Sequence, residues 1–312
     1  MPKISVIIPL FNKQRHIFRT LESALAQTGD FEIIVVNDGS TDGSQHEVQK
    51  FSDPRIRYFK TENKGVSAAR NLGISKSQGV IIAFLDADDL WLPAHLHNLE
   101  RLYSDFPEAG LLCTNYARYY AADIKKAPRF IGLPEFPWRG VVPDFFQSSY
   151  IDRMAWTSAV GIPRKVLDEV GNFDEAITLG AGEDLDLWIR TAIRYPVAFD
   201  SEISAYHNLS ADNRMSLTYT KKRAFALLDQ FSTEEKTNRS LKRFLDLYRA
   251  EFALKMKLAD DERCRFYIRQ LDPKNLSVKT KLLLSLPAFV LRPMYRFKKF
   301  LESKNVEVSA YH

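Results

Sequence analysis

Three aspartates close the segment FLDADD at residues 84–89, directly after a run of apolar residues. Carboxylates repel one another and are rarely buried without a partner, so this cluster calls for a compensating positive charge. Side chains alternate along a strand, which predicts that Asp86 and Asp88 point the same way and together suit a hard divalent cation such as Mg²⁺. The alternative is structural, with Asp88 or Asp89 capping a helix that begins near Leu90.

A second acidic cluster lies in the segment GEDLDLW at residues 182–188. Glu183, Asp184 and Asp186 follow flexible glycines at the start of a predicted helix, where the helix dipole favours acidic side chains for structural reasons alone. The functional interpretation is a catalytic base held at the rim of the metal site. Trp188, on the same helix, is expected to belong to the core.

The elements that position these acids are visible in the hydrophobic pattern. Strands are predicted over residues 4–11, 31–38, 56–60 and 80–89, and helices over residues 17–27, 66–77 and the segment that follows Gly182. Strands that alternate with helices predict an α/β fold with a mostly parallel sheet, in which ligands bind beyond the carboxyl ends of the strands. Asp38, Asp86 and the loop after Phe11 all fall at such ends, so we expect them to converge.

Composition narrows the class of protein. The chain has 312 residues, of which 45% are hydrophobic, enough for one large domain or two ordinary ones. Cys113 and Cys264 match no metal or redox spacing, which favours a reduced compartment. The first apolar run predicts a strand rather than a secretory leader, and no run reaches the ~18 apolar residues of a membrane-spanning helix. The glycine motifs of P-loop and dinucleotide-binding folds are absent from the sequence.

Charge divides the chain into two parts. Residues 1–220 have a net charge of −5, whereas residues 221–312 have a net charge of +10. A basic region indicates an anionic partner, and nucleic acid is not expected because no recognition module is present. Within 282–302, apolar residues precede Arg292, Arg296, Lys298 and Lys299, which predicts contact with an anionic membrane surface. The alternative is a helix packed on the catalytic domain or on a second subunit, and the oligomeric state is left open.

Six segments occur in the order and at the intervals typical of family 2 glycosyltransferases: SVIIPLFN, VVNDGSTDGS, NKGVSAARNLGI, FLDADD, VGNFDE and GEDLDLW. The chain resembles the bacterial members of this family over about residues 3–216. The resemblance implies an inverting enzyme with the GT-A fold in residues 1–216, a Rossmann-like α/β fold whose mostly parallel central sheet is flanked by helices. A helical, basic C-terminal region is expected over 217–312, with residues 216–272 helical throughout.

The resemblance also implies roles for residues of the donor pocket. Pro9, Phe11 and Asn12 match the loop that lines the nucleotide, and Asp38 matches the residue that accepts a hydrogen bond from uracil. A carboxylate suits that contact, although Asp38 also fits a plain turn with Gly39. Lys64 and Arg70 match the segment that lies along the nucleotide and its diphosphate.

The metal and the base are assigned in the same way. Asp88 matches the metal-coordinating residue of the family's DXD element, with Asp86 contacting ribose or metal, and Mn²⁺ or Mg²⁺ is the implied cofactor. His207 matches a late histidine near the metal, although a lone histidine also fits a surface or core position. Asp184 matches the catalytic base, with Glu183 as a neighbour that positions the acceptor or tunes Asp184.

The sequence therefore predicts transfer of a sugar from a nucleoside-diphosphate donor, most simply UDP-linked, to a hydroxyl of a glycan or lipid-linked acceptor in cell-surface polysaccharide synthesis. The expected location is the cytoplasmic face of the membrane. The alternatives are a sugar nucleotidyltransferase, for which the loop PLFNKQRH lacks the usual glycines, and a catalytically inactive nucleotide- or glycan-binding protein.

Overall fold

Apolar and β-branched segments of the chain assemble into one central sheet. The computed structural model describes residues 3–121, 124–213 and 220–303. Ten strands make up the sheet in this part of the chain. They are β1 (Ile4–Leu10), β2 (Phe31–Asp38), β3 (Ile56–Thr61), β4 (Ile81–Phe84), β5 (Leu90–Trp91), β6 (Leu111–Ala121), β7 (Ile124–Lys126), β8 (Arg139–Val141), β9 (Val160–Pro163) and β10 (Val197–Asn208).

The sheet is mixed, with a parallel half that carries the predicted donor residues. Its strand order is β3-β2-β1-β4-β9-β6-β10-β5, with β7 paired to β6 and β8 paired to β10. The pairs β3–β2, β2–β1, β1–β4 and β6–β10 are parallel, whereas β9 runs antiparallel to β4 and β6. The carboxyl ends of β1, β2 and β4 therefore lie at the same edge, which is the expected ligand edge of an α/β sheet.

Seven helices flank this sheet in the described residues before position 214. They are α1 (Ile17–Leu25), α2 (Ser44–Gln49), α3 (Val66–Lys76), α4 (His95–Asp105), α5 (Phe145–Ser148), α6 (Arg164–Val170) and α7 (Glu183–Arg194). α1 buries Ile17, Leu21 and Ala24, as its helical spacing predicts. α7 buries Trp188 with Leu185 and Ile189, so the prediction that Trp188 belongs to the core is confirmed.

The strand that leads to the first acidic cluster is shorter than predicted. β4 ends at Phe84, and residues 85–89 form a turn in which the Asp89 N–H donates to the Asp86 carbonyl at 3.0 Å. Strand alternation therefore does not orient Asp86 and Asp88, and that argument from the sequence was wrong. The helix-cap alternative was also wrong, because Leu90 begins β5 and the next helix begins at His95.

The chain divides into two compact units, Met1–Thr218 and Tyr219–His312. The predicted boundary between residues 216 and 217 falls in the segment 214–219, outside the described residues. The second unit contains α8 (Glu234–Thr237), α9 (Arg239–Leu258), α10 (Cys264–Gln270), α11 (Val278–Ser285) and α12 (Ala288–Ser303). The prediction of continuous helix over 216–272 was wrong, because turns and non-helical segments separate the described helices.

A charged network lies inside the second unit. Arg249 of α9 is buried and donates to Glu235 at 2.7 Å and to Asp246 at 3.1 Å. Asp246 also accepts from Lys242 at 2.6 Å, so the buried charges have opposite-charge partners. Removal of one partner from this network would leave a buried charge on α9 uncompensated, which would destabilise the unit. No described helix in either unit combines the length and the apolar character needed to cross a bilayer.

Candidate active site

A single arginine joins the two acidic clusters. Arg70 of α3 donates from Nη2 to Asp86 at 2.8 Å and from Nη1 to Glu183 at 3.0 Å. Its side chain is only 4% exposed, and its guanidinium lies 5.1 Å from the centre of the Phe173 ring. Burial lowers the pKa of Arg70, but the carboxylates of Asp86 and Glu183 outweigh that effect and raise the pKa above its ordinary value. Arg70, which the sequence predicts to contact the diphosphate of the donor, is therefore held between two carboxylates of the protein.

Glu183 is a buried acid, and only one of its two carboxylate oxygens is paired with Arg70. Burial and the neighbouring Asp184 raise its pKa, and Arg70 opposes them. Its Oε2 atom is buried without a hydrogen-bond partner in the structure. The Arg70 contact fixes the first residue of α7, and so fixes where the next residue stands.

That next residue, Asp184, is the second residue of α7 and is half-buried. Its Oδ1 accepts from the Leu185 N–H at 2.7 Å, and its Oδ2 lies 3.4 Å from Thr157 Oγ1. The guanidinium of Arg153 lies 4.0 Å from the same Oδ2. A carboxylate oriented by these neighbours is suited to accept a proton from a substrate hydroxyl.

The aspartate of the predicted metal site, Asp88, has an ammonium partner that the sequence analysis missed. Lys13 Nζ lies 2.6 Å from Asp88 Oδ2 and donates to the carbonyls of Asp212 and Asn213 at 2.9 and 3.0 Å. Burial raises the pKa of Asp88, Lys13 opposes that rise, and Asp86 adds to it. The only signal in the sequence was the place of Lys13, directly after Asn12 in the loop that follows β1.

The third aspartate of the cluster, Asp89, organises the site rather than facing it. It is buried and accepts from Ser158 Oγ at 2.6 Å, from Trp156 Nε1 at 3.2 Å and from the Asn208 N–H at 2.8 Å. Burial, together with Asp88 and Asp86, raises its pKa well above the usual range. Asp89 therefore ties the turn after β4 to the end of β10.

His207 lies beside Trp156, which is one of the donors to Asp89. Its ring stacks on Trp156 with 3.8 Å between ring centres. The described residues hold no group of three or more His, Cys, Asp or Glu side chains placed to bind a metal ion. Asp86, Asp88 and His207 therefore do not form a preassembled three-ligand group, and their roles at a metal ion stay predictions.

The chemistry of the carboxylates still fits a divalent cation. Asp88 offers the hard oxygen ligand that Mg²⁺ or Mn²⁺ takes, and such ions need only one or two protein carboxylates when a substrate diphosphate supplies the rest. Asp88 is nearly buried and its charge is compensated by one ammonium. Asp86 contributes a second carboxylate, already shared with Arg70.

Asp38 sits at the end of β2, where the sequence places the base-recognising acid. Its two carboxylate oxygens accept the N–H groups of Lys64 and Gly65 at 2.8 and 2.9 Å, and burial raises its pKa. A carboxylate has further lone pairs, so these bonds position the group without exhausting it as an acceptor. The chain also bends at Gly39, which has a φ of 72°, and contact of Asp38 with a base stays a prediction.

The remaining predicted donor residues line the same edge. Pro9 is in β1, and Pro9 and Phe11 are half-buried, whereas the Lys64 side chain is exposed. Asn12 has a positive φ of 51° and accepts the Thr41 N–H at 2.8 Å through Oδ1. Asn12 thus joins the loops after β1 and β2. Arg214, which the family resemblance would also bring near the diphosphate, lies outside the described residues.

The sequence is similar to a known protein family. The family model described as glycosyl transferase family 2 matches residues 5–171, more than half of the chain. A protein of Rickettsia bellii named an uncharacterized glycosyltransferase is 34% identical over 62% of this chain and 26% of its own length. Streptococcus pneumoniae glycosyltransferase GlyA is 41% identical over 36% of this chain and 17% of its own length. The chain matches 26 to 32% of the length of the first three curated relatives.

A solved structure matches nearly the whole chain. Staphylococcus aureus TarS 1–349, in complex with UDP-GlcNAc, aligns with 95% of this chain and 92% of its own at a TM-score of 0.61 and 16% identity. The same TarS segment in complex with UDP aligns with 97% of this chain and 89% of its own at a TM-score of 0.55. At this identity the likeness shows the fold alone, which is the GT-A fold.

Proposed function

The chain belongs to glycosyl transferase family 2, and from this premise we propose that it transfers a sugar from a UDP-linked donor to a hydroxyl of a glycan or lipid-linked acceptor. The observation that carries the proposal is the Arg70 bridge, which brings the acids after β4 and the acids of α7 to one edge of the sheet. That TarS is solved with UDP and with UDP-GlcNAc supports a nucleotide-sugar donor. Cell-surface polysaccharide synthesis is the process we propose for such a product.

In this proposal the donor nucleotide lies across the carboxyl ends of β1 and β2. Asp38 accepts a ring N–H of the base, and Pro9 and Phe11 line the base and ribose. A buried carboxylate that loses its partner is costly, so this contact discriminates strongly between bases. Lys64 and Lys13 supply positive charge on the diphosphate side.

Asp88, with Asp86, would hold a divalent cation at this edge. The cation would stabilise the negative charge of the nucleoside-diphosphate leaving group. Lys13, which lies at Asp88, would then be close to the same diphosphate.

The transfer is proposed to invert the anomeric carbon in a single displacement. The acceptor oxygen forms a bond to the anomeric carbon as the bond from that carbon to the diphosphate oxygen breaks, and Asp184 takes the acceptor proton. Glu183 positions this base through its bond to Arg70, and Thr157 Oγ1 at 3.4 Å from Asp184 limits the orientation of the carboxylate. We also propose that the reaction takes place at the cytoplasmic face of the membrane.

Two measurements test this function. Thermal stabilisation by UDP, GDP, dTDP and CDP, each with Mn²⁺ and with EDTA, should show a shift specific to UDP and larger with Mn²⁺, since a ligand that binds the folded state raises its stability. Product analysis should then show free nucleoside diphosphate. Release of pyrophosphate would instead identify a nucleotidyltransferase, and binding without turnover of any donor would identify an inactive binding protein.

The base is tested by substitution. Asp184→Asn should lower turnover by about 10²–10⁴-fold while donor binding persists, because only proton transfer is removed. Asp168→Asn, at an exposed position of α6, is the matched control and should leave turnover unchanged. Near wild-type turnover in Asp184→Asn with donor binding intact would remove Asp184 from this role.

A further inference from the structure

The last two described helices of the second unit leave apolar side chains on their outer faces. Four of these residues lie at helical spacing, two on α11 and two on α12. Their exposed fractions are 82% for Val278, 58% for Leu282, 73% for Phe289 and 62% for Phe297. Monomeric proteins rarely expose large apolar residues in such a group without a binding function.

Each helix is anchored by its opposite face. Both α11 and α12 pack on α9, and the inward positions include Thr280 and Leu291, which are 1% and 4% exposed. Residues 278 and 282 share one side of α11, and residues 289, 293 and 297 share one side of α12, because positions four apart lie one above the other on a helix. The outward apolar residues therefore do not take part in the core of the unit.

The charge around these residues has one sign. Residues 273–301 contain seven Lys or Arg and no Asp or Glu. Lys281 on α11 and Arg296 on α12 are exposed beside the apolar residues. A surface that combines exposed aromatic and aliphatic groups with exposed basic side chains matches the boundary of a membrane that contains anionic lipid.

Arg292 takes a different part from the one predicted. It donates to the Leu258 carbonyl at 3.1 Å and forms an ion pair with Asp260, so it fastens α12 to the end of α9. Arg296 and Lys281 are the described basic residues that we assign to the outer face. The side chain of Lys299, also predicted to face lipid, lies outside the described residues.

We infer that Val278, Leu282, Phe289 and Phe297, with Lys281 and Arg296, form a lipid-binding face that docks the chain on an anionic membrane surface. The apolar side chains enter the headgroup boundary, and the basic side chains contact lipid phosphates. This inference does not depend on the proposed glycosyl transfer, because it rests on the second unit by itself.

Sedimentation of the full chain with vesicles tests the inference. Binding is expected to vesicles with about 30% phosphatidylglycerol in phosphatidylcholine, to be weak with phosphatidylcholine alone, and to fall with added salt. Lys281→Glu with Arg296→Glu should reduce the partition coefficient at least ~25-fold, at about fivefold for each lost charge. Phe289→Ser with Phe297→Ser should reduce binding even at low salt, because the apolar contribution is lost.

Matched controls separate the face from general effects. Arg101→Glu on α4 and Val80→Ser before β4 change exposed residues of the first unit, and both should bind vesicles as the wild type does. Circular dichroism should show that each variant keeps its helix content. Equal vesicle binding by all variants, or no binding of the wild type to anionic vesicles, would overturn the inference. A lipid-free dimer that Phe289→Ser with Phe297→Ser converts to a monomer would assign the face to a second copy instead.

Discussion

Lys13 Nζ lies 2.6 Å from Asp88 Oδ2, so the aspartate best suited to a metal ion is already paired with a cation of the protein itself. Both side chains are largely buried. Removal of one partner of a buried ion pair leaves an uncompensated charge, which is costlier than loss of the pair as a whole. The ammonium also donates to the carbonyls of Asp212 and Asn213, so it joins Asp88 to the loop after β10.

We therefore expect Lys13→Met to destabilise the protein by about 2–4 kcal/mol in EDTA, because Asp88 loses its counter-charge. Mn²⁺ should restore part of this loss, since a cation at Asp88 replaces the ammonium. Urea unfolding with EDTA and with Mn²⁺ measures both. In the Asp88→Asn background the same Lys13 substitution should cost much less, and an equal cost in both backgrounds would contradict the pairing.

The bridge made by Arg70 predicts that two substitutions at this position lower the stability of the protein by different amounts. Arg70→Gln should cost about 3–5 kcal/mol of stability, because the carboxylates of Asp86 and Glu183 lose their shared partner. Arg70→Lys keeps the charge but not the two-pronged geometry, so a smaller loss is expected. Urea unfolding of both variants, with Arg101→Gln as an exposed control, gives the order. Equal stability of the wild type and Arg70→Gln would show that the bridge contributes nothing.

The turn that positions Asp38 depends on a glycine. Gly39 has φ of 72°, and a Cβ added there would lie 2.8 Å from the backbone nitrogen of Asn63. Gly39→Ala should therefore displace the segment whose N–H groups bind Asp38, and so weaken UDP binding. The left-handed backbone strain should separately lower the free energy of unfolding by about 1–2 kcal/mol. Calorimetric titration with UDP and a melting curve give both quantities.

Gly132 provides the control for that substitution. Its φ is also 72°, but the nearest atom to an added Cβ is 3.9 Å away. Gly132→Ala should thus show the backbone strain and leave UDP binding intact. Loss of UDP affinity in both variants to the same extent would mean that the close approach to Asn63 is irrelevant.

A buried carboxylate near the start of β2 predicts a pH dependence of stability. Glu32 accepts from Ser5 Oγ at 2.7 Å, from the Gln78 N–H at 2.6 Å and from Arg57 at 2.5 Å. Burial raises its pKa, but these donors outweigh it and hold the pKa below 4.5. The unfolded chain therefore binds the proton more readily, so this stability is present above about pH 4.5 and is lost as the pH falls.

Glu32→Gln should cost about 1–3 kcal/mol at neutral pH, because a neutral amide cannot serve three donors. The difference between wild type and variant should shrink as the pH falls below the ordinary glutamate range. Urea unfolding from neutral to acidic pH checks it. A difference that stays constant with pH would mean that ionised Glu32 is not the stabilising form.

The parts that followed from the sequence depend on local pattern. β2 was predicted to the residue and β1 and β3 to within one, because β-branched and apolar runs bounded by turn residues indicate buried strands. The placement of Asp38 and Asp86 at the same edge of the sheet followed from the rule that parallel strands end together. Family 2 membership followed from the order of six short segments and is confirmed.

What was missed depends on contacts between distant residues. Arg70 reaches Glu183 across 113 positions, and Lys13 reaches Asp88 across 75, and no periodicity reports such pairs. Asp89 was considered only as a possible helix cap, whereas three donors from other segments bind its carboxylate. The early end of β4 was also invisible, since apolar residues continue through Leu85.

The double contact of Arg70 has a consequence for recombination between relatives. Asp86 and Glu183, the first residue of α7, share one guanidinium, so we expect these three residues to be exchanged together. A chimera that imports α7 from a homologue without an acid at position 183 would leave half of the arginine unopposed. Exchange of other segments should therefore succeed when the breakpoints keep residues 70, 86 and 183 from the same parent.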